Sequence, residues 1–262
     1  MCSPLQPLDS LEPPSRSYRP ASMTLRRSET VYVMAKAPRA GAAKTRLCPP
    51  LYPVQAARLA EALLLDAVAV VQRAGCQVRI MCRSTSEQLA LEELLGATTS
   101  VSVQAGKGLG DALESAFRQG LTDGGAAVAV LGADSPTLAP AVVREAFVAL
   151  RRGADVALGP SEDGGYYLLA ARALHPALYY DMPWSTSAVG ALTLARCQDA
   201  GLSTYLLPTW YDVDDGASLA RLQMELRTGA PSLSPRTRAA LGIPGPGVPR
   251  PAPMELSYGA LA

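Results

Sequence analysis

The segment Ala126–Leu131 reads AAVAVL, six apolar residues with no polar break. A strand that can be apolar at every position has to be covered on both faces, which is the condition of a central strand in a parallel sheet. The rest of the chain supplies what would cover it. Thr30–Ala35, Gln77–Cys82, Val101–Gln104, Val156–Leu158, Tyr166–Ala171 and Thr204–Leu207 read as further strands. Helical patterns fall between them over Val54–Ala74, Ser86–Leu95, Asp111–Gly120, Pro140–Arg152, Ser187–Ala200 and Ala217–Arg227. Val54–Ala74 carries Leu59, Leu63, Leu64, Ala67 and Val71 on one face, the helical period. Strand–helix alternation of this length predicts an open, mostly parallel α/β sheet with helices on both faces. In such sheets ligands bind beyond the carboxyl ends of the strands, so the segments that follow strands carry the functional question.

Proline sets the expected limits of the fold. Of 22 prolines in 262 residues, five lie in residues 1–28 and seven in residues 229–262. Both ends read as tails that lack apolar periodicity: a disordered Pro-rich one over 1–28 and a Pro/Gly-rich one over 229–262, and deletion of residues 1–22 and 235–262 is expected to leave unfolding of the core nearly unchanged. The folded unit is expected over 29–228, and Met23 is an alternative start to Met1.

Composition excludes several classes. Lys plus Arg is 24 against 23 for Asp plus Glu, a formal charge of +1, which gives no bulk electrostatic footprint for nucleic acid. No segment has the length of a membrane span; the longest apolar stretch, Ala62–Val71, is broken by Asp66 and reads as a buried helix. Cys2, Cys48, Cys76, Cys82 and Cys197 are odd in number and never at CxxC spacing, as expected of free thiols in a reducing cytoplasm. His175 is the only histidine, and no GxSxG elbow surrounds Ser135 or any other serine, so a hydrolase triad is not expected.

Four segments follow strands and carry chemistry. Lys36-Ala37-Pro38-Arg39-Ala40-Gly41-Ala42-Ala43-Lys44-Thr45-Arg46 leaves the first strand with a glycine and several cations. Exposed N–H groups with Lys and Arg suit a polyanion, although the Walker A spacing is absent. Gly106-Lys107-Gly108-Leu109-Gly110-Asp111 lies between strand and helix and lacks the last glycine of a dinucleotide fingerprint. It is read as a backbone surface approaching a base or sugar, or else as a plain turn. Asp134, in Leu131-Gly132-Ala133-Asp134-Ser135-Pro136, stands at the tip of the apolar strand, where a carboxylate can hold Mg²⁺ or Mn²⁺ against a diphosphate or cap a helix. Tyr211-Asp212-Val213-Asp214-Asp215 crowds three carboxylates that a metal would bridge, or caps the following helix.

Six segments in order, AKAPRAGAAKTRL, GKGLGDAL, LGADSPTL, GPSEDGGYYLLA, PWSTSAV and WYDVDD, resemble the radical-SAM/selenodomain-associated (arsenosugar-biosynthesis) glycosyltransferases. That family lies in the glycosyltransferase-A-like, nucleotide-diphospho-sugar transferase superfamily. The resemblance spans about residues 30–226 and is most particular at Glu162–Tyr167. It implies a single Rossmann-like GT-A domain and a metal-dependent transfer of a sugar from a nucleotide-diphospho-sugar to a small-molecule acceptor. The KTRL and GADSP segments also resemble 2-phospholactate guanylyltransferase and molybdenum-cofactor nucleotidyltransferases. They imply the alternative: an NTP coupled to a phosphorylated small molecule, with pyrophosphate released. The turn Asp134-Ser135-Pro136 departs from the DxD of typical glycosyltransferases of this fold.

By this resemblance Asp134 and Asp214 are the metal ligands, for Mg²⁺ or Mn²⁺. Ala35, Lys36, Pro38, Gly41, Lys44, Gly108, Leu109, Gly110 and Asp111 hold the nucleotide. Lys44 and Arg46 serve the leaving diphosphate. Asp163 orients or deprotonates the acceptor hydroxyl, or forms a turn with the glycine that follows. Gly164, Gly165, Trp184, Ser185 and Thr186 are expected around the acceptor, the two glycines by opening space and Trp184 by stacking, whereas Trp210 is expected in the core.

Overall fold

A computed structural model of the chain describes residues 29–230 and 232–244. The expected N-terminal tail over 1–28, both possible start sites and Cys2 lie outside these residues, as do positions 245–262. A seven-stranded sheet runs in the order β3-β2-β1-β4-β6-β5-β7. The strands are β1 (Glu29–Met34), β2 (Gln77–Cys82), β3 (Ser100–Val103), β4 (Ala127–Gly132), β5 (Val156–Pro160), β6 (Tyr166–Ala171) and β7 (Thr204–Leu206). All neighbours pair in parallel except β6, which is antiparallel to both β4 and β5. The apolar strand is central, as expected: β4 pairs with β1 over six residues and with β6 on its other side.

The helices are α1 (Pro53–Arg73), α2 (Thr85–Leu95), α3 (Leu109–Thr122), α4 (Pro140–Arg151), α5 (Val189–Asp199), α6 (Gly216–Thr228) and α7 (Pro235–Ala240). Alternation along β4 divides the core. Ala129 and Leu131 face Val68, Val71, Phe147 and Leu150 of α1 and α4, whereas Val128 and Val130 face Leu113, Ala116 and Phe117 of α3. The N-cap of α2 is Ser84, whose Oγ accepts from the Glu87 N–H; Ser86 sits inside the helix rather than capping it. Cys48, Cys76, Cys82 and Cys197 are free thiols. Among the described residues no helix is long and apolar enough to cross a membrane.

The fold does not stop at residue 228. Helix α7 lies on α1, and Ile243 beyond it is buried in a third cluster with Leu59, Leu63, Leu222 and Leu226. The polar break Asp66 explains the docking. It is 1% exposed, and its carboxylate accepts the N–H of Thr237 at 2.8 Å and of Arg236 at 3.4 Å, the orphan donors of the first turn of α7. Ser234, at φ 45°, turns its hydroxyl away from that helix and donates to the Pro136 carbonyl at 2.7 Å. The segment expected to be a tail therefore clamps the turn that follows Asp134. The signal was present as Ser234-Pro235, a helix-start pair, but six helical residues are too few for periodicity to speak.

Candidate active site

Order reverses around β1: β2 lies on one side and β4 on the other, so the connections leave in opposite directions and open a crevice at the carboxyl ends of β1 and β4. Lys36–Lys44 and Asp134 leave the sheet there. The segment 210–215 is drawn to the same place by an isolated bridge between Ser161 and Trp210 and by the Val213 N–H, which donates to the Asp134 carbonyl at 2.9 Å. Asp134 and Asp214, far apart in sequence, are thereby brought to one point, as their placement after separate strands predicts.

That point is held by Lys44. Its Nζ lies 2.7 Å from Asp134 Oδ1, 2.7 Å from Asp214 Oδ1 and 2.8 Å from the Val213 carbonyl oxygen. Three acceptors use all three donors of an ammonium group. The Lys44 side chain is 9% exposed, while those of Asp134 and Asp214 are 41% and 49% exposed, so the carboxylates keep a face toward solvent and the lysine does not. Burial by itself would push the Lys44 ammonium down; the two carboxylates outweigh it and hold it above the ordinary lysine value. The backbone at Lys44 is left-handed, φ 48° and ψ 42°, an uncommon state for a residue with a Cβ. Lys44 is thus engaged by the acid pair rather than presented to an anion. Lys36 and Arg46, which also line the crevice, make no ion pair among the described residues.

Asp212 is the third carboxylate, and the sequence does not single it out. Ser135 Oγ donates to its Oδ1 at 2.6 Å and Ser161 Oγ to its Oδ2 at 3.1 Å, so it ties the ends of β4 and β5 together. Burial pushes its pKa up, the Ser135 and Ser161 hydrogen bonds oppose this, and the Asp134 and Asp214 charges add to the rise.

Two cavities meet at this cluster. One, of about 230 Å³, is lined by Ala35, Lys36, Ala43, Lys44, Arg46, Asp134 and Asp214 among others. The second, of about 440 Å³, has Ser161, Glu162, Asp163, Asp212, Asp215 and Arg221 in its wall and shares Arg46 and Asp214 with the first. A narrower crevice of about 100 Å³ extends the first cavity past Ala35 and Lys36 to Cys82, Gln104, Gly108 and Leu109. Asp163 faces the larger cavity, as a residue acting on an acceptor must, while its Oδ1 accepts the Gly165 N–H at 2.9 Å.

Other expected site residues lie elsewhere. Pro38 and Gly41 line none of these three cavities; Gly41 turns the backbone at φ 77°. Gly110 packs under Tyr179 and Trp184, where an added Cβ would come within 2.5 Å of the Tyr179 carbonyl oxygen. Asp111 accepts the N–H groups of Lys107 and Gly108, both at 2.9 Å, and so shapes the loop from inside; those bonds hold its carboxyl below the usual range. Trp184 packs against the α3 face of the core, and Gly164, Gly165, Ser185 and Thr186 line neither large cavity. His175 likewise lies outside both, and Trp210, half-buried, packs against the edge of the core.

Gly164, the first glycine after Asp163, does not open space. It admits the backbone at the start of α5: the Gly190 N–H donates to the Gly164 carbonyl at 2.8 Å, and a Cβ on Gly164 would lie 2.2 Å from the Ser187 carbonyl oxygen, whereas one on Gly165 would face the Asp163 carboxylate at 3.2 Å. Gly164 also has φ 88°. Gly164→Ala is therefore expected to lower stability by about 2 kcal/mol or more, because neither the left-handed backbone nor a backbone neighbour can yield cheaply. Calorimetry of the variant measures it, and a melting temperature equal to the parent's would contradict this account of the turn.

The likenesses agree with this architecture. A structure from Desulfovibrio desulfuricans G20, provisionally described as a nucleotide-diphospho-sugar transferase, is 27% identical, with a TM-score of 0.76 over 81% of this chain and 93% of that one. The 4-diphosphocytidyl-2C-methyl-D-erythritol synthase of Anaerococcus prevotii DSM 20548 shares the fold alone, at 10% identity and a TM-score of 0.51 over 75% of this chain and 96% of that one. By fold and by the first of these likenesses the chain falls in the nucleotide-diphospho-sugar transferase superfamily and in the class of transferases. Residues 64–186 match the model of a family described as an uncharacterized protein conserved in bacteria, DUF2064. No curated protein matches the sequence.

Proposed function

We propose that the protein transfers a sugar from a nucleotide-diphospho-sugar to a small acceptor that carries no phosphate. The observation that carries this reading is the pair of cavities of opposite character meeting at Asp214 and Arg46. The smaller offers Lys36 and Arg46 to a diphosphate, and its extension past Gly108 and Leu109 has room for the edge of a base. The larger is walled by Glu162, Asp163, Asp212, Asp214 and Asp215, while Arg221 is already spent on Glu162 at 2.8 Å and stacked on Tyr211. A phosphorylated acceptor, which the nucleotidyltransferase alternative needs, would meet that carboxylate wall at a Coulombic cost; a polyol or a cationic compound would not. The finer kinship to arsenosugar-biosynthesis glycosyltransferases belongs to this proposal too. Two of its segments, SEDGGYY and PWSTSAV, pack on each other where Gly164 meets Ser187.

Asp163 then takes the proton of an acceptor hydroxyl through its second oxygen, Arg46 bridges donor and acceptor, and Lys36 neutralises charge left on the departing diphosphate. Mg²⁺ or Mn²⁺ fits the donor set in kind. Asp134 and Asp214 offer hard carboxylate oxygens, each 2.7 Å from one shared nitrogen and each about half exposed, although among the described residues no group of three acidic, His or Cys side chains is disposed around a metal. When bound, such an ion would add Lewis-acid neutralisation of the leaving group. Product analysis tests the reading. A nucleotide-sugar incubated with unphosphorylated polyol acceptors is expected to release nucleoside diphosphate. Pyrophosphate from an NTP and a phosphorylated compound, with no turnover of any nucleotide-sugar, would overturn it in favour of the alternative.

A further inference from the structure

We infer that Lys44 is the resident counter-cation of the Asp134–Asp214 pair and that a divalent cation enters only by displacing its ammonium group, so that metal and nucleotide bind together and the free protein holds metal weakly. The inference rests on the nucleotide reading above for the second half of that statement and on geometry alone for the first. An ammonium nitrogen 2.7 Å from one oxygen of each carboxylate sits where an ion shared by those oxygens would have to sit. Mg²⁺ needs its oxygens at about 2.0–2.1 Å, and two cations cannot share such short contacts without strong repulsion. The Val213 carbonyl, at 2.8 Å, completes the hold on Lys44, and the left-handed backbone aims the side chain inward from a loop that would otherwise present it to solvent.

The displaced ammonium has somewhere to go. Lys44 lines the cavity of about 230 Å³ together with Lys36, Thr45 and Arg46, so a diphosphate lodged there offers its oxygens in exchange for those of Asp134 and Asp214. A ligand that rewards the lysine for moving makes room for the metal, and a metal that expels the lysine delivers it to the diphosphate. By linkage each raises the affinity for the other.

The test is Mn²⁺ binding to the full chain, followed by electron paramagnetic resonance, for the parent and for Lys44→Met, which keeps the length of the side chain and removes its charge. Without nucleotide, the parent is expected to bind Mn²⁺ weakly and Lys44→Met about tenfold more tightly or better. With UDP, GDP or CDP present, the parent is expected to bind Mn²⁺ in a ternary complex at least about tenfold more tightly than alone, an enhancement that Lys44→Met loses. Tight Mn²⁺ binding by the nucleotide-free parent would overturn the inference, and so would a Lys44→Met variant that binds Mn²⁺ no better than the parent. If Lys44→Met does not fold, Lys44→Gln, which also removes the charge, is read in the same two titrations. If no nucleotide binds under any condition while Lys44→Met still binds Mn²⁺ more tightly, the exchange at the carboxylates stands and the functional reading falls.

Discussion

Asp134→Ala is expected to reduce turnover of a nucleotide-sugar by about two orders of magnitude or more while leaving the melting temperature within a few degrees of the parent's. The two effects separate because the residue does two things with different atoms. Its backbone carbonyl accepts the Val213 N–H and holds segment 210–215 to β4, and alanine keeps that bond. Its carboxylate is one of the two charges on Lys44 and, in the proposed function, half of the site for a divalent cation. Removing it leaves Lys44 with Asp214 and the Val213 carbonyl, both intact, so no buried charge is stranded. Asp134→Asn refines the result: its amide oxygen can still accept from Lys44, and a failure to restore turnover would show that charge, not hydrogen bonding, is what the site requires. Near-parental turnover in Asp134→Ala would remove this carboxylate from the mechanism.

Asp66→Ala is expected to cost roughly 2–4 kcal/mol, which in a domain of this size lowers the melting temperature by about 5–15 °C. The carboxylate is 1% exposed and serves the Thr237 and Arg236 N–H groups at the start of α7, with the Arg236 guanidinium 3.7 Å away. Alanine leaves both donors without this acceptor, and the Thr237 N–H is buried away from water. A chain ending at residue 228 should fall at least as far, because it also loses burial of Ile243 and the Ser234 bond to Pro136. Denaturation followed by circular dichroism reads both. If the truncated chain melts with the parent, α7 contributes nothing to the domain and the limit at 228 stands. If Asp66→Ala alone is neutral, the helix is held by apolar contact and the cap is incidental.

The sequence reads as an α/β sheet because its signals are local. AAVAVL announces a strand covered on both faces, and the apolar stripe of Val54–Ala74 announces a helix that covers one of them, within a residue of where α1 lies. Asp134 and Asp214 are legible for a related reason. Asp134 directly follows an apolar strand and must emerge at its carboxyl end; Asp214 lies eight residues past β7, so chain direction sets its side of the sheet, and the Ser161–Trp210 bridge and the Val213–Asp134 bond bring it to the crevice. Asp163 is legible in the same way and does line the larger cavity. What a residue does once it arrives depends on contacts that spacing does not encode. Gly164 looks like room for a ligand and proves to be room for the backbone of Ser187.

By itself, then, the sequence determined which segments are strands and helices, the six-residue α7 excepted, and which charged residues follow the strands, since each follows from periodicity and chain direction. Only the tertiary structure decided the partners. It put Lys44 between carboxylates 90 and 170 residues away, made Asp212 the tie between Ser135 and Ser161, and turned Asp66 from an oddity in an apolar helix into the cap of α7. The physical reason is common to all three. A buried charge or an orphan N–H must find a partner whatever its distance in sequence, and that choice is made by the packing of whole elements, not by neighbours along the chain.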